Sequence, residues 1–194
     1  RYGARIEGCG PTLAAREKTL AKVQSATGAN FIPPYDHPAV IAGQGSAGLE
    51  ILEQDPGVDE IWTPVGGGGL AAGTVLACGP DVQVVGAEPR LARDAFDSLQ
   101  RGERQPAMPP RSVADGLRTA LGELNFRILN DYQLPIRLVS DKETLAAQKL
   151  AMACLKLLIE PSSAVPIAAL LKYGPHRPDS QRIVIIISGG NVTL

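Results

Sequence analysis

Cysteine and histidine are scarce in this chain, and neither occurs at a spacing that would build a metal site or a disulfide framework. The 194 residues hold three cysteines, Cys9, Cys78 and Cys154. Their odd number, wide separation and lack of a C-x-x-C pair exclude a small disulfide-stapled fold and fit a reducing cytoplasm. The two histidines, His37 and His176, stand alone in loop-like contexts and read as surface residues rather than ligands or bases. No charge dominates: 19 Lys and Arg face 20 Asp and Glu, a formal net charge of -1, which offers no electrostatic footprint for nucleic acid or an anionic membrane surface. No apolar stretch reaches the roughly 20 residues that span a bilayer, and no internal repeat or low-complexity tract is present. Arg1-Tyr2-Gly3-Ala4-Arg5-Ile6 lacks both an initiating Met and the hydrophobic core of a signal peptide, so the sequence reads as a chain entered midway.

What is present is an ordinary globular composition, 44% hydrophobic and 20% charged, enough for one substantial α/β domain or one domain and part of another. Short β-rich runs alternate with helical patterns. Ala4–Glu7, a helix near Thr12–Thr27 and Asn30–Ile32 form one expected β-α-β unit, and Pro33-Pro34 then open a loop. After Pro38 a mixed segment runs to Gln54. Strand Glu60–Val65, helix Leu70–Ala77 and strand Gln83–Ala87 form a second unit. Residues 101–117 are proline-rich and aperiodic, a long loop of the kind that usually serves function. A helix over 142–158, with Asp141 as its N-cap and Pro161 after its end, carries an apolar stripe of Ala146, Leu150, Ala153 and Leu157. A further helix near Ser163–Lys172 leads to Arg182–Ile187, an apolar run typical of a strand buried on both faces. These elements predict a mostly parallel sheet with helices on both sides. Pro38 is the expected boundary, dividing residues 1–37 from 38–194.

The chemistry concentrates at Gly66-Gly67-Gly68-Gly69, placed between the strand ending at Val65 and the helix beginning at Leu70. Backbone N–H groups gathered at a helix N-terminus bind anions, and glycines let the backbone approach a phosphate and adopt positive φ where required. The segment Gly67–Ala72 also satisfies G-x-G-x-x-A, with Glu88 about 20 residues on, so a dinucleotide remains open as the ligand. At the other end of the chain Ser188-Gly189-Gly190-Asn191 follows the apolar strand directly. Open parallel sheets bind ligands at the carboxyl ends of their strands. A second element there suits a cofactor with a phosphate at one end and a ring nitrogen at the other.

Pro64–Leu70 together with Ser188–Val192 resembles the pyridoxal-phosphate enzymes of the tryptophan synthase β-like fold, and within them the threonine dehydratase and serine racemase family. Val40–Ser46, Gly86–Pro89, Val113–Leu117 and Leu158–Ser162 agree, in family order. The resemblance implies that residues 1–37 end a small domain and 38–194 form most of a large, cofactor-binding one. It further implies that the backbone of Gly66, Gly67, Gly68, Gly69 and Leu70 holds the cofactor phosphate, that the Ser188 hydroxyl bonds the pyridine nitrogen, and that Glu160 lies near the cofactor. Glu88, the Ala92 carbonyl and Asp94 match positions that bind Mg²⁺ or Ca²⁺ in family members, hard oxygen donors suited to such ions; a strand-end acid followed by a helix cap is the alternative.

The family's Schiff-base lysine, in an N-terminal Ser-x-Lys segment, has no counterpart here, and neither does the family's Ser-x-Gly-Asn-His loop. Lys18, Lys22, Lys142, Lys149, Lys156 and Lys172 all read as solvated. The expectation is therefore a C-terminal fragment of an ammonia-lyase acting on a small hydroxyamino acid, inactive alone and homodimeric when complete. A serine racemase is the alternative activity. From other classes stand an NAD(P)-binding oxidoreductase and a non-catalytic phospholigand-binding or pseudo-enzyme subunit.

Overall fold

The computed structural model describes residues 3–109 and 111–192, and the chain divides into two compact units, Arg1–Pro33 and Pro34–Leu194. In the first unit, α1 (Leu13–Thr27) starts at Thr12, whose hydroxyl accepts from Ala15 N–H at 3.2 Å, and stops at Gly28, where φ is 69°. The runs Ala4–Glu7 and Asn30–Ile32 are not strands. A strand exists through its ladder, and neither run has one among the described residues, so the expected first β-α-β unit reduces to its helix.

The second unit is built on a parallel sheet, β1 (Glu60–Pro64), β2 (Gln83–Pro89), β3 (Ile136–Val139) and β4 (Ile183–Ile185), in the order β3-β2-β1-β4. Because side chains alternate along a strand, two cores form. Ile61, Val84, Ile136 and Leu138 pack with Ile41, Val75 and Leu129 from α2 (Pro38–Gln54), α3 (Gly69–Cys78) and α5 (Glu123–Asp131). Trp62, Val85, Ala87 and Val139 face Ala147, Val165 and Ala168 of α6 (Asp141–Leu155) and α7 (Pro161–Tyr173) on the other side. Helices on both faces of a parallel sheet are the predicted α/β class. At the start of β1, the buried Glu60 carboxylate accepts from Trp62 Nε1, His176 N–H, Arg177 N–H and Ser180 Oγ, tying the return to β4 onto the sheet.

Several elements depart from the sequence expectation. The segment after Pro38 is helical throughout; His37 Nδ1 caps it by accepting from Ala39 N–H. Its glycines depress helix propensity but let α2 close on α3, since a Cβ on Gly45 would stand 2.9 Å from Gly73 O. Ser140, not Asp141, caps α6, in a capping box with Glu143. Asp141 instead accepts from Ser112 Oγ and Val113 N–H, which anchors the 101–117 loop; Pro110 of that loop lies outside the described residues.

The stripe Ala146, Leu150, Ala153 and Leu157 is exposed. Small residues, Thr144, Ala147 and Ala151, face inward because α6 packs closely on α7. Pro161 opens α7 at its first turn instead of trailing α6. β4 is an edge strand, half-buried instead of covered on both faces, because only β1 flanks it among the described residues. Helix α4 (Asp94–Arg101), α5 and β3 are additions to the expected elements. Among the described residues no helix is long and apolar enough to cross a membrane.

Candidate cofactor site at the carboxyl edge of the sheet

β1 and β4 run side by side with Trp62 opposite Ile185, and Ile186 N–H donates to Trp62 O at 2.9 Å. The segments that follow them, Gly66–Gly69 and Ser188–Asn191, therefore leave the same edge of the sheet. The last β1 rung is Val65 N–H to Ala87 O at 2.9 Å. Beyond it the N–H groups of Gly66, Gly67, Gly68, Gly69 and Leu70 find no acceptor among the described residues, although the four glycines are buried. Buried N–H groups are nearly always paired, so this row, continuous with the α3 N-terminus, could hold an anion's oxygens.

The carbonyls of the same loop are taken. Gly67 O accepts from Gly122 N–H at 3.0 Å and from Asn125 Nδ2 at 2.7 Å, and Gly68 O accepts from Ala72 N–H at 2.8 Å. Gly68 sits at φ 90°, a conformation suited to glycine, and a Cβ on Gly67 would overlap the Tyr35 ring. Tyr35 is held over the loop by its own bonds: its hydroxyl lies 2.8 Å from Thr119 Oγ1, and its carbonyl accepts from Asn125 Nδ2 at 3.3 Å.

Two further segments join the edge. The turn Asp115–Leu117 backs onto Gly66, where a Cβ would stand 3.0 Å from Leu117 Cα, and Gly116 N–H donates to Ser162 Oγ at 3.0 Å. The α7 N-terminus then reaches the last loop. Ser163 Oγ accepts from Gly189 N–H at 2.7 Å, donates to Gly189 O at 2.8 Å and lies 3.2 Å from Ser188 Oγ. Glu160 Oε2 accepts from Asn191 N–H at 3.1 Å. The predicted residues Gly66–Leu70, Ser188 and Glu160 thus sit on segments joined at one edge. Tyr35, Asn125, Ser162 and Ser163 join the site without having been singled out; only Ser162 lay within a motif, Leu158–Ser162.

Glu88 and Asp94 are buried, at 1% and 2% exposure. Both Glu88 oxygens accept from the α4 N-terminus, from Ala95 N–H at 3.0 Å and Phe96 N–H at 2.8 Å, while Asp94 Oδ2 accepts from Leu121 N–H at 2.8 Å. Burial pushes Glu88 well above the usual carboxylate range, and the charge of Asp94 adds to this. Burial raises Asp94 to about 6. Neither forms an ion pair among the described residues; adjacent Arg93 pairs with Asp97 at 3.2 Å. Ala92 is buried beside them. Among the described residues no group of three or more His, Cys, Asp and Glu gathers as a metal site, so a cation here would depend on two carboxylates and the Ala92 carbonyl.

All six lysines are exposed. Lys142 follows Ser140 at Ser-x-Lys spacing, but Ser140 is occupied as the α6 cap and Lys142 points to solvent. A groove of about 360 Å³ between α6 and α7, lined by Ala146, Leu150 and Leu171 among others, shares no residue with this edge.

A family model described as pyridoxal-phosphate dependent enzyme matches residues 1–189. The chain is 42% identical over 197 residues to the β-hydroxyaspartate dehydratase of Paracoccus denitrificans, covering 100% of this chain and 62% of that protein. It is 43% identical over 199 residues to the serine racemase of Dictyostelium discoideum, covering 100% and 61%. Among solved structures the T.th. threonine deaminase superposes with a TM-score of 0.91 at 40% identity, covering 100% of this chain and 65% of that one. The chain thus spans about three-fifths of the length of the curated relatives it matches.

Proposed function

The chain belongs to the pyridoxal-phosphate dependent enzymes, and on that premise we propose that it forms the cofactor-binding part of a dehydratase that eliminates water from a small β-hydroxyamino acid, the released imine taking up water again to give a 2-oxo acid and ammonia. The observation that carries the reading is the row of N–H groups from Gly66 to Leu70, unpaired among the described residues, which follows β1 while Ser188 follows its neighbour β4 at the same sheet edge. The cradle suits a phosphate. Ser188 suits the ring nitrogen at the cofactor's other end.

Pyridoxal phosphate, when bound, withdraws electrons from the Cα of a joined amino acid, so that a Cα proton and a Cβ substituent can leave. This chain's residues set how strongly. Ser188 is a neutral donor that shares a bond with Ser163, and a hydroxyl leaves the ring nitrogen unprotonated where a carboxylate would hold a proton on it. With Ser188 rather than a carboxylate at that position, the group would withdraw electrons less strongly, which would suit loss of a β-hydroxyl. Tyr35 and Leu117, packed on the glycine loop, exclude water from behind it. Glu88, the Ala92 carbonyl and Asp94 are assigned as donors for Mg²⁺ or Ca²⁺, because two buried carboxylates without an ion-pair partner among the described residues suit a hard cation. Racemisation of serine is the second reading, favoured by the 43% identity to the Dictyostelium serine racemase.

The test is to supply the gene product carrying these residues, with cofactor, with L-threonine, L-serine and β-hydroxyaspartate, and to measure 2-oxo acid, ammonia and D-isomer. Equal release of oxo acid and ammonia supports the dehydratase. D-isomer without oxo acid moves the assignment to racemase, and neither product from a cofactor-loaded protein moves it to a non-catalytic binding subunit.

A further inference from the structure

We propose that Asn125 is a positioning residue for the cofactor phosphate, fixing the Gly67–Gly68 peptide so that Gly68 N–H faces the ligand. The inference rests on the pyridoxal-phosphate reading above. A trans peptide unit is planar, with its C=O and N–H pointing in opposite directions, so whatever holds Gly67 O also aims Gly68 N–H. Glycine cannot hold that plane by itself, because without a Cβ on either side the Gly–Gly peptide has the widest choice of orientation available to a backbone. The restraint must come from outside the loop. Gly122 N–H supplies one bond at 3.0 Å, and Asn125 Nδ2 supplies the shorter one at 2.7 Å.

Asn125 is otherwise an uneconomical residue for its position. It is fully buried on α5, in contact range of Gly68, where a glycine Cβ would stand 3.0 Å from Asn125 Cβ. Its Oδ1 is buried and has no partner among the described residues, an arrangement that favours an apolar residue of the same size. The amide orientation follows from its neighbours: both acceptors, Gly67 O and Tyr35 O, are carbonyls, so the NH₂ must face them. The unsatisfied Oδ1 is thus the cost of placing a donor against Gly67 O. The same side chain ties Tyr35, which covers the loop, to the loop it covers.

The experiment is calorimetric titration of the gene product carrying these residues, freed of cofactor, with pyridoxal 5′-phosphate, inorganic phosphate and, as control, pyridoxal without phosphate. Asn125→Leu should weaken binding of both phosphate probes about tenfold and leave pyridoxal unaffected. Asn125→Asp has the same shape as asparagine and keeps the variant series informative if leucine disturbs folding. At neutral pH its carboxylate opposes Gly67 O and binding weakens. As the pH falls and that carboxyl protonates, it can donate again, so its deficit relative to the parent at each pH shrinks, whereas the leucine deficit does not. A residue that served only the fold would lower the unfolding midpoint without this recovery. Equal phosphate affinity in the parent and both variants overturns the positioning role while leaving the cofactor reading intact. A parent that binds neither phosphate probe overturns the cofactor reading, and this proposal with it.

Discussion

Ser163 and Ser188 stand hydroxyl to hydroxyl at 3.2 Å, and Ser163 also clasps both the N–H and the carbonyl of Gly189. A hydroxyl has one proton and two lone pairs. With its proton given to Gly189 O and one lone pair to Gly189 N–H, Ser163 can only accept from Ser188. Ser188 is therefore a donor, and a ring nitrogen would compete with Ser163 for its proton. The two serines should separate in stability. Ser163→Ala strips a buried clamp from the last loop and should cost ~1–3 kcal/mol, whereas exposed Ser188→Ala should stay within ~0.5 kcal/mol. Urea unfolding of both variants measures this, and a larger loss for Ser188→Ala would reverse the assignment.

The glycine loop makes a prediction about coupling. Gly67→Ala forces a methyl into the Tyr35 ring, an overpacking that should cost ~1–3 kcal/mol. Tyr35→Ala removes the obstacle. The double variant should accordingly be more stable than the sum of the two single losses, by ~0.5–3 kcal/mol. Gly68→Ala is strained for a different reason, its φ of 90°, and should gain nothing from Tyr35→Ala. Strict additivity of Gly67→Ala and Tyr35→Ala in thermal unfolding would show that the ring moves aside freely.

These relationships explain what could be read in the residues alone. β1, the glycine loop, α3 and β2 follow one another with short connections, so their periodicity and turn chemistry were sufficient to place the loop between strand and helix. Helices α4 and α5 were not visible, because their caps come from elsewhere: Glu88 on β2 receives Ala95 and Phe96 N–H, and Asp36 receives Glu123 and Leu124 N–H at 2.9 and 3.0 Å. Local sequence marks a cap only where the capping residue is adjacent, and even there Asp141 and its neighbour Ser140 are both residue types that cap helices. The apolar character of Ile183–Ile187 marked a strand but could not tell an edge from a centre, which depends on what lies beside it. Asn125 and Tyr35 carry no local signal at all; their roles arise from contacts across 58 and 32 positions, respectively, with Gly67.

The α6 cap gives a pH signature on the acid side. Backbone and hydroxyl bonds from Ser140, together with the Lys172 ion pair at 2.9 Å, lower Glu143 from the usual 4.5 to about 2. A carboxyl whose pKa is depressed by folding contributes stability above its unfolded pKa and loses it as the pH falls through the folded one. The contribution should therefore fade between about pH 4.5 and about 2. Ser140→Ala should cost ~1 kcal/mol at pH 7, and the deficit should narrow across that window. A deficit independent of pH would place the effect in the Ser140 hydroxyl alone, without Glu143.

Glu88 and Asp94 work in the opposite direction. Asp94 is raised by burial from 3.8 to about 6, so the folded chain holds this proton more tightly than the unfolded one. Its stabilising protonation is complete below about pH 4 and is lost as the pH rises through about 6; Glu88, raised further, extends the same loss upward. Asp94→Asn keeps an oxygen for Leu121 N–H and removes one charge, and should therefore gain up to ~3 kcal/mol at pH 8 and little at pH 4. A divalent cation bound between the two carboxylates would offset the same repulsion. Mg²⁺ or Ca²⁺ should then raise the unfolding midpoint of the parent at pH 8, have little effect at pH 4, and do less for Asp94→Asn. If the parent at pH 8 unfolds at the same temperature with and without either ion, the pair is a buried cap and turn tie, and the cation assignment falls while the phosphate cradle at Gly66–Leu70 is untouched.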